Sequence, residues 1–225
     1  MVRRGRPVNA FRRYVEASAG TNTERAAAFS DAVFAIAMTL LAVEIHVPAV
    51  PPERLVAALA GQWVDFAAYA LSFLVVGAYW LSHHRLFGLL DRFTAGLLRL
   101  NLLVLLLVGL TGYVTALLVE YGNHAPAVMA YAALVTAIGL GQTCLWLYAR
   151  ANHLFGPRVD AALFGYLLRR SLITPVVFGT SVPLALLDAD LAKYAWTTVL
   201  FLYVVLMLVA RATPVAPAEA PGREP

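Results

Sequence analysis

Long apolar stretches separated by short polar segments dominate the chain between residues 25 and 211. Most of these stretches contain at least the ~20 residues that an α-helix needs to cross the hydrocarbon core of a bilayer. The pattern therefore predicts an all-α integral membrane protein with six transmembrane helices. We expect these helices at about residues 25–45, 55–83, 99–119, 126–149, 168–187 and 192–210.

Polar segments flank the predicted membrane domain, which covers residues 25–211. Residues 1–24 contain five arginines, and we expect them to form a basic cytoplasmic arm beside anionic lipid. Thr21 and Glu24 have the three-residue spacing of a capping box, which predicts that the first helix starts beside them. Residues 212–225 alternate proline, alanine and charged residues, a composition typical of a disordered tail.

Two of the predicted helices have unusual features. The second, 55–83, is longer than one span needs, so either it tilts or the part before Gly61 stands above the membrane. The fifth contains Pro175 and Pro183, which we expect to kink it. Polar linkers are expected at 84–98 and before the fifth helix, where the basic residues are Arg150, Arg158, Arg169 and Arg170.

Composition supports the membrane class and gives the orientation. Hydrophobic residues make up 61% of the chain and charged residues 13%, against roughly 25% charge in soluble domains. With six spans, 15 of the 17 lysines and arginines lie on the side of both termini, and only Arg54 and Lys193 lie on the other. The positive-inside rule then places both termini in the cytoplasm, for a multi-pass protein of the cytoplasmic membrane. Topology thus explains the net charge of +4, and no nucleic-acid partner is expected.

The residues that enzymes and metal sites use do not form a recognisable set. Cys144 is the only cysteine, which excludes an intramolecular disulfide and a cysteine-based zinc site. His46, His124 and His153 lie in separate loops, and no pair of ligands has the i, i+4 spacing of a metalloenzyme helix. No serine or cysteine nucleophile motif is present either. We therefore expect neither an enzyme nor a bound cofactor.

The first predicted helix carries charge where the others are more uniformly apolar. It begins at Arg25 and contains Asp31, and a charge at membrane depth tends to face a bundle interior or a water-filled path. At about 100° per residue, one narrow stripe lies roughly opposite Asp31. Its members are Ile36, Thr39, Leu40 and Val43, continued toward the cytoplasm by Ala32, Phe29 and Arg25. Lipid contact or ordinary core packing explains such a stripe as well as a pore does.

A short motif in this helix resembles a known signature. Arg25-x-x-x-Phe29-Ser30-Asp31, followed by Ala-Val-Phe-Ala-Ile-Ala, resembles the sequence that opens the first helix of the transmembrane-protein-175 potassium channel family in its bacterial form. The resemblance extends over all six spans. It also includes Trp80, His83, His84 and Asn101.

This resemblance implies a potassium-permeable cation channel, a homotetramer of six-helix subunits whose pore is lined by the first helix. The family lacks a carbonyl-lined filter, and the constriction positions of its bacterial members fall here on Ile36, Thr39 or Leu40, and Val43. The family often has leucine at the first and last of these positions, whereas this chain has isoleucine and valine. The segment 111–114 (Thr-Gly-Tyr-Val) is similar to a short potassium filter, but it lies in a continuous apolar run that leaves no room for a filter loop.

Simple physics describes such a pore. Four apolar side chains at one level form a constriction that can gate by dewetting, and a ring of Thr39 hydroxyls can partly replace the hydration shell of a passing ion. With few oxygen ligands of low charge, potassium selectivity is expected to be modest. Glu44 lies near the predicted outer mouth, where it either raises the local cation concentration or is a solvated helix-end carboxylate.

The remaining motif residues suggest a supporting network. We expect Asp31 to bond with Ser30, with His83 or His84 and with Asn101, and so to hold the first helix at a fixed angle, with Arg25 also in a structural role. The histidines either confer pH dependence or lie at the interface. The alternative function is a proton-coupled cation or small-solute transporter that uses Asp31, His83 and His84. A membrane scaffold without transport is a third possibility.

Overall fold

The computed structural model describes residues 23–199, 201–202 and 205, and these are almost entirely helical. The helices are α1 Thr23–Leu40, α2 Leu55–Gly61, α3 Trp63–Gly88, α4 Ala95–Gly109, α5 Thr111–Tyr121, α6 Ala125–Ala151, α7 Ala161–Leu187 and α8 Ala189–Trp196. Two short 3₁₀ helices connect α1 to α2, and their bounds are Leu41–Glu44 and Pro52–Arg54.

Five helical stretches among the described residues are long and apolar enough to cross a membrane. They are Thr23–Glu44, Trp63–Gly88, Ala95–Tyr121, Ala125–Ala151 and Ala161–Leu187. The prediction of an all-α protein with membrane-spanning helices is therefore confirmed. The predicted sixth span, 192–210, falls largely outside the described residues, as do Thr21, the arm 1–24 and the tail 212–225.

The second predicted span is divided in two. Gln62, with φ −78° and ψ 8°, separates α2 from α3, so the part before Gly61 is a helix of its own. Of the two expected arrangements, the structure thus has the one in which this part is distinct from the spanning helix. The side chain of Gln62 also donates to the His46 carbonyl oxygen at 2.6 Å, which ties the exit of α1 to the junction of α2 and α3.

The predicted linkers are shorter than expected. α3 continues to Gly88 and α4 begins at Ala95, so most of 84–98 is helical. α7 begins at Ala161 rather than near residue 168, because the Asp160 carboxylate accepts from the Leu163 amide at 2.7 Å and caps the helix. Arg169 and Arg170 therefore lie inside α7 and not in a linker.

The helix α6 is the centre of the bundle and packs against α3, α4, α5 and α7. Its largest buried side chains are Trp146 and Tyr131. A Cβ atom on Gly139 of α6 would lie 2.7 Å from the Tyr79 hydroxyl of α3 and 2.8 Å from the Pro175 ring of α7. Glycine at this position therefore permits the close approach of three helices, as small residues do in membrane bundles.

Candidate functional site

The first helix has one face covered by its own subunit and one face that is uncovered. Ser30, Phe34 and Leu41 are fully buried where α1 packs against α3 and α4. The opposite face exposes its large apolar side chains: Phe29 (56%), Ile36 (57%), Leu40 (53%) and Val43 (70%). The predicted constriction residues, including Thr39, all lie on this uncovered face.

The hydroxyl group of Thr39 is oriented by the helix itself. Thr39 Oγ1 donates its proton to the Ile36 carbonyl oxygen at 2.9 Å. A hydroxyl that donates within the protein keeps its lone pairs for incoming partners. At this position the uncovered face therefore presents an oxygen acceptor, which suits a cation better than an anion.

The end of α1 departs from an ideal helical wheel. The helix tightens into the 3₁₀ turn Leu41–Glu44, so Val43 lies on a turn of about 3.0 residues rather than 3.6. Val43 nevertheless remains on the exposed side. Glu44 is half-buried and lies beside α5, where a Cβ atom on Gly112 would be 3.9 Å from its Oε1.

A buried polar chain joins α1, α3 and α4. Asn101 Nδ2 donates to Ser30 Oγ at 2.9 Å, and Ser30 Oγ donates to the Ala26 carbonyl at 2.8 Å. With the amide oriented in this way, Asn101 Oδ1 accepts from His83 Nε2 at 2.7 Å. Ser30, His83 and Asn101 are at most 1% exposed. The His83 ring also packs between Phe34 and Phe87, with centroid distances of 5.3 and 4.3 Å.

A second polar group lies around Asp31 nearer the surface. Trp80 Nε1 donates to Asp31 Oδ1 at 2.8 Å, and His84 Nδ1 lies 3.9 Å from Asp31 Oδ2. The side chains of His84 and Asp31 are 62% and 38% exposed. The structure thus divides the residues of the expected single network between two groups, because Ser30 and Asp31 are adjacent and point to different sides of α1. Arg25 is exposed at the start of the helix.

One buried hydroxyl cluster has no counterpart among the sequence predictions. Thr115 Oγ1 lies 2.8 Å from both Ser72 Oγ and the Thr111 carbonyl, and Ser72 Oγ lies 3.0 Å from the Tyr131 hydroxyl. The signal available in the sequence was a hydroxyl residue in the middle of each of several apolar stretches. Among the described residues, no group of three or more His, Cys, Asp or Glu side chains is placed to hold a metal ion.

Comparison with known proteins places this helix arrangement in a class of membrane channels. The sequence model of the family described as endosomal/lysosomal potassium channel TMEM175 matches residues 25–111, a segment that contains every candidate site residue. A protein from Streptomyces collinus named as a potassium channel is 40% identical over 178 residues, which is 76% of this chain and 86% of that protein. The chain belongs to the TMEM175 family, which is a family of channels and not of enzymes.

Two further relatives extend the comparison. The crystal structure of a protein described as a lysosomal potassium-selective channel TMEM175 homolog, from Chamaesiphon minutus, matches with a TM-score of 0.69 and 29% identity, over 84% of this chain and 98% of that chain. The human protein named endosomal/lysosomal proton channel TMEM175 is 27% identical over 165 residues. These cover 71% of this chain but only 32% of the human protein.

Proposed function

We propose that the chain is one subunit of a potassium-permeable cation channel in the cell membrane, with four subunits around a pore lined by α1. Each subunit would have six transmembrane helices and cytoplasmic termini, with 1–24 as a basic arm and 212–225 as a tail. The potassium assignment follows the relatives from Streptomyces collinus and Chamaesiphon minutus that are named potassium channels, of which the chain covers 86% and 75%. The permeant ions would be potassium and other monovalent cations, with no nucleic-acid partner.

The uncovered apolar face of α1 is the observation that carries this proposal. The same helix is fully buried on its other side, so its exposed side is left for another subunit's helix or for the pore. In a tetramer, four Ile36 side chains at one level would form an apolar constriction that gates by dewetting. The Thr39 oxygens, whose protons are held by the backbone, would face the ion as acceptors.

The two polar groups support the proposal by fixing the rotation of α1. The Ser30–Asn101 bond attaches the helix to α4, and the Asp31–Trp80 bond attaches it to α3. Because both attachments lie on the covered side, they determine which residues face outward. The motif residues Arg25, Ser30 and Asp31 would thus position the pore helix, and Glu44 would lie toward the outer mouth.

The alternative function is a proton-coupled transporter that uses Asp31, His83 and His84. One observation favours it: the human relative is named a proton channel. Against it, His83 is 1% exposed and lies behind α1, away from the stripe of Ile36 and Val43. The arrangement is therefore better suited to holding the helix than to passing protons along the stripe.

Flux from liposomes that contain the purified protein separates these functions. Under a potassium gradient and without a proton gradient, we expect rapid potassium flux that exceeds sodium flux. Replacing Ile36 by Asn should increase it, because an amide removes the dewetting barrier. The same change at Leu106, an exposed position of α4, should leave it unchanged. Flux that requires an imposed proton gradient would establish the transporter, and no flux under either condition would establish a scaffold.

A further inference from the structure

A small polar cavity lies between α3, α6 and α7. Its volume is about 160 Å³, and its polar lining residues are Tyr79, Ser82, Gln142, Arg170 and Ser171. Among the described residues, none that lines this cavity is acidic. The cavity therefore combines a guanidinium group and two hydroxyl groups with no negative charge in its walls.

The amide of Gln142 lacks a hydrogen-bond donor for its oxygen. Gln142 is 1% exposed, and its Nε2 donates to the Tyr79 carbonyl at 3.1 Å. This bond determines the orientation of the amide, because the flipped amide would place oxygen against oxygen. Oε1 then has no partner among the described residues, which is unfavourable for a buried acceptor. An occupant of the cavity that donates a hydrogen bond would satisfy it.

Arg170 lies well inside a helix that is apolar enough to span a membrane. It is nine residues from the start of α7 at Ala161, which corresponds to about 14 Å along the helix. A charged side chain within such a segment marks a functional site whose partner should be identified. The guanidinium group has five donors in a planar fork that matches phosphate, and it can serve a ligand alongside contacts within the protein.

A much larger apolar cavity adjoins the polar one. It has a volume of about 1090 Å³ and follows α3 from Trp63 to Leu81. Ala78 and Leu81 line both cavities, so the two are neighbours along α3. This volume lies at the upper end of the range of about 300–1,000 Å³ that small-molecule sites occupy. An occupant with an anionic head and a hydrocarbon tail matches the pair.

We propose that these cavities bind an anionic phospholipid whose head group carries a hydroxyl, such as phosphatidylglycerol. Its phosphate accepts from Arg170 and Ser171, a head-group hydroxyl donates to Gln142 Oε1, and an acyl chain lies along the apolar cavity. Basic pockets between transmembrane helices bind anionic head groups in this way. Phosphatidylcholine is the informative comparison, because its head group has no hydrogen-bond donor and no net charge. The proposal does not depend on potassium conduction.

Lipid binding to the delipidated full-length protein tests this site. Native mass spectrometry would give dissociation constants for phosphatidylglycerol and phosphatidylcholine of equal chain length. We expect phosphatidylglycerol to bind about tenfold more tightly or better. Arg170→Gln should weaken it by about tenfold, the scale of one hydrogen bond to a charged group, and should leave phosphatidylcholine unchanged. Arg169→Gln is the matched control, since Arg169 is the exposed neighbour on the same helix.

The remaining outcomes are equally clear. Arg170→Lys keeps the charge and should retain a part of the preference, which separates binding from any failure to fold. Equal weakening by the Arg169 and Arg170 variants would show diffuse surface attraction and overturn the proposal. Competition by inorganic phosphate at equal concentration would make this a soluble-anion site. Equal binding of both lipids to the wild-type protein would leave a water-filled cavity, and the lipid site would be wrong.

Discussion

Replacing Asn101 by leucine would interrupt the buried polar chain that joins α1, α3 and α4. The change keeps the approximate volume but removes two hydrogen bonds, to Ser30 at 2.9 Å and to His83 at 2.7 Å. It also leaves the His83 Nε2 proton without an acceptor at a residue that is 1% exposed. Ser30 suffers less, because its own proton still goes to the Ala26 carbonyl.

The expected cost follows from these two losses. A hydrogen bond between membrane helices contributes about 0.6 kcal/mol on average and up to about 1.7 kcal/mol. A buried donor left without a partner costs about 1–3 kcal/mol more. We therefore expect Asn101→Leu to lower the free energy of unfolding by about 2–4 kcal/mol, the sum of these terms. Titration with a denaturing detergent, followed by circular dichroism, would measure it.

The matched control is Asn152→Leu, the same substitution at an exposed residue with one local bond to the Tyr148 carbonyl. It should cost less than about 0.5 kcal/mol. Removing the orphaned partner should rescue the variant, because His83→Phe keeps a ring between Phe34 and Phe87 without the N–H group. The double variant of Asn101 and His83 should then be about 1–2 kcal/mol more stable than additivity gives. Strict additivity, or a cost equal to that of the control, would refute the reasoning.

Three other variants test the bundle and the proposed pore. Gly139→Ala should destabilise the protein by about 1–3 kcal/mol through steric overlap, whereas Gly165→Ala, with open space at its Cβ, should be neutral or stabilising; a smaller cost at Gly139 would contradict the packing. Thr39→Val should reduce the ratio of potassium to sodium flux, and Thr180→Val, at an exposed threonine with the same backbone bonding, should not. Asp31→Asn should weaken the bond from the Trp80 indole and reduce both assembly and flux; unchanged tetramer stability and flux would exclude a positioning role.

The hydrophobic pattern was sufficient to predict the class and most of the spans. It failed at helix ends, where short-range polar contacts decide. Two consecutive arginines, Arg169 and Arg170, suggested a linker, although Asp160 was a readable N-cap signal for an earlier start. The break at Gln62 depends on a hydrogen bond to His46, a residue far away in the sequence, and no local pattern indicates it.

The motif located the polar residues of the site but not their partners. Adjacent residues of a helix point about 100° apart, so His83 and His84 cannot both face the interior, and the sequence does not say which one does. Only the packing of α3 against α1 and α4 places His83 inside and His84 beside Asp31. The hydroxyl cluster at Ser72 and Thr115 could not be predicted for the same reason, since it depends on the relative rotation of three helices.

The adjacency of Ser30 and Asp31 explains why a short motif can define a pore helix. These residues point about 100° apart and bond to different helices, α4 through Asn101 and α3 through Trp80. Ile36 then lies about 120° from Ser30 and 140° from Asp31 around the axis, on the third side of the helix. Two attachments leave α1 no freedom to rotate, and they direct one side away from the subunit. The polar residues therefore select the apolar face that the proposed pore uses, although neither group lies on that face.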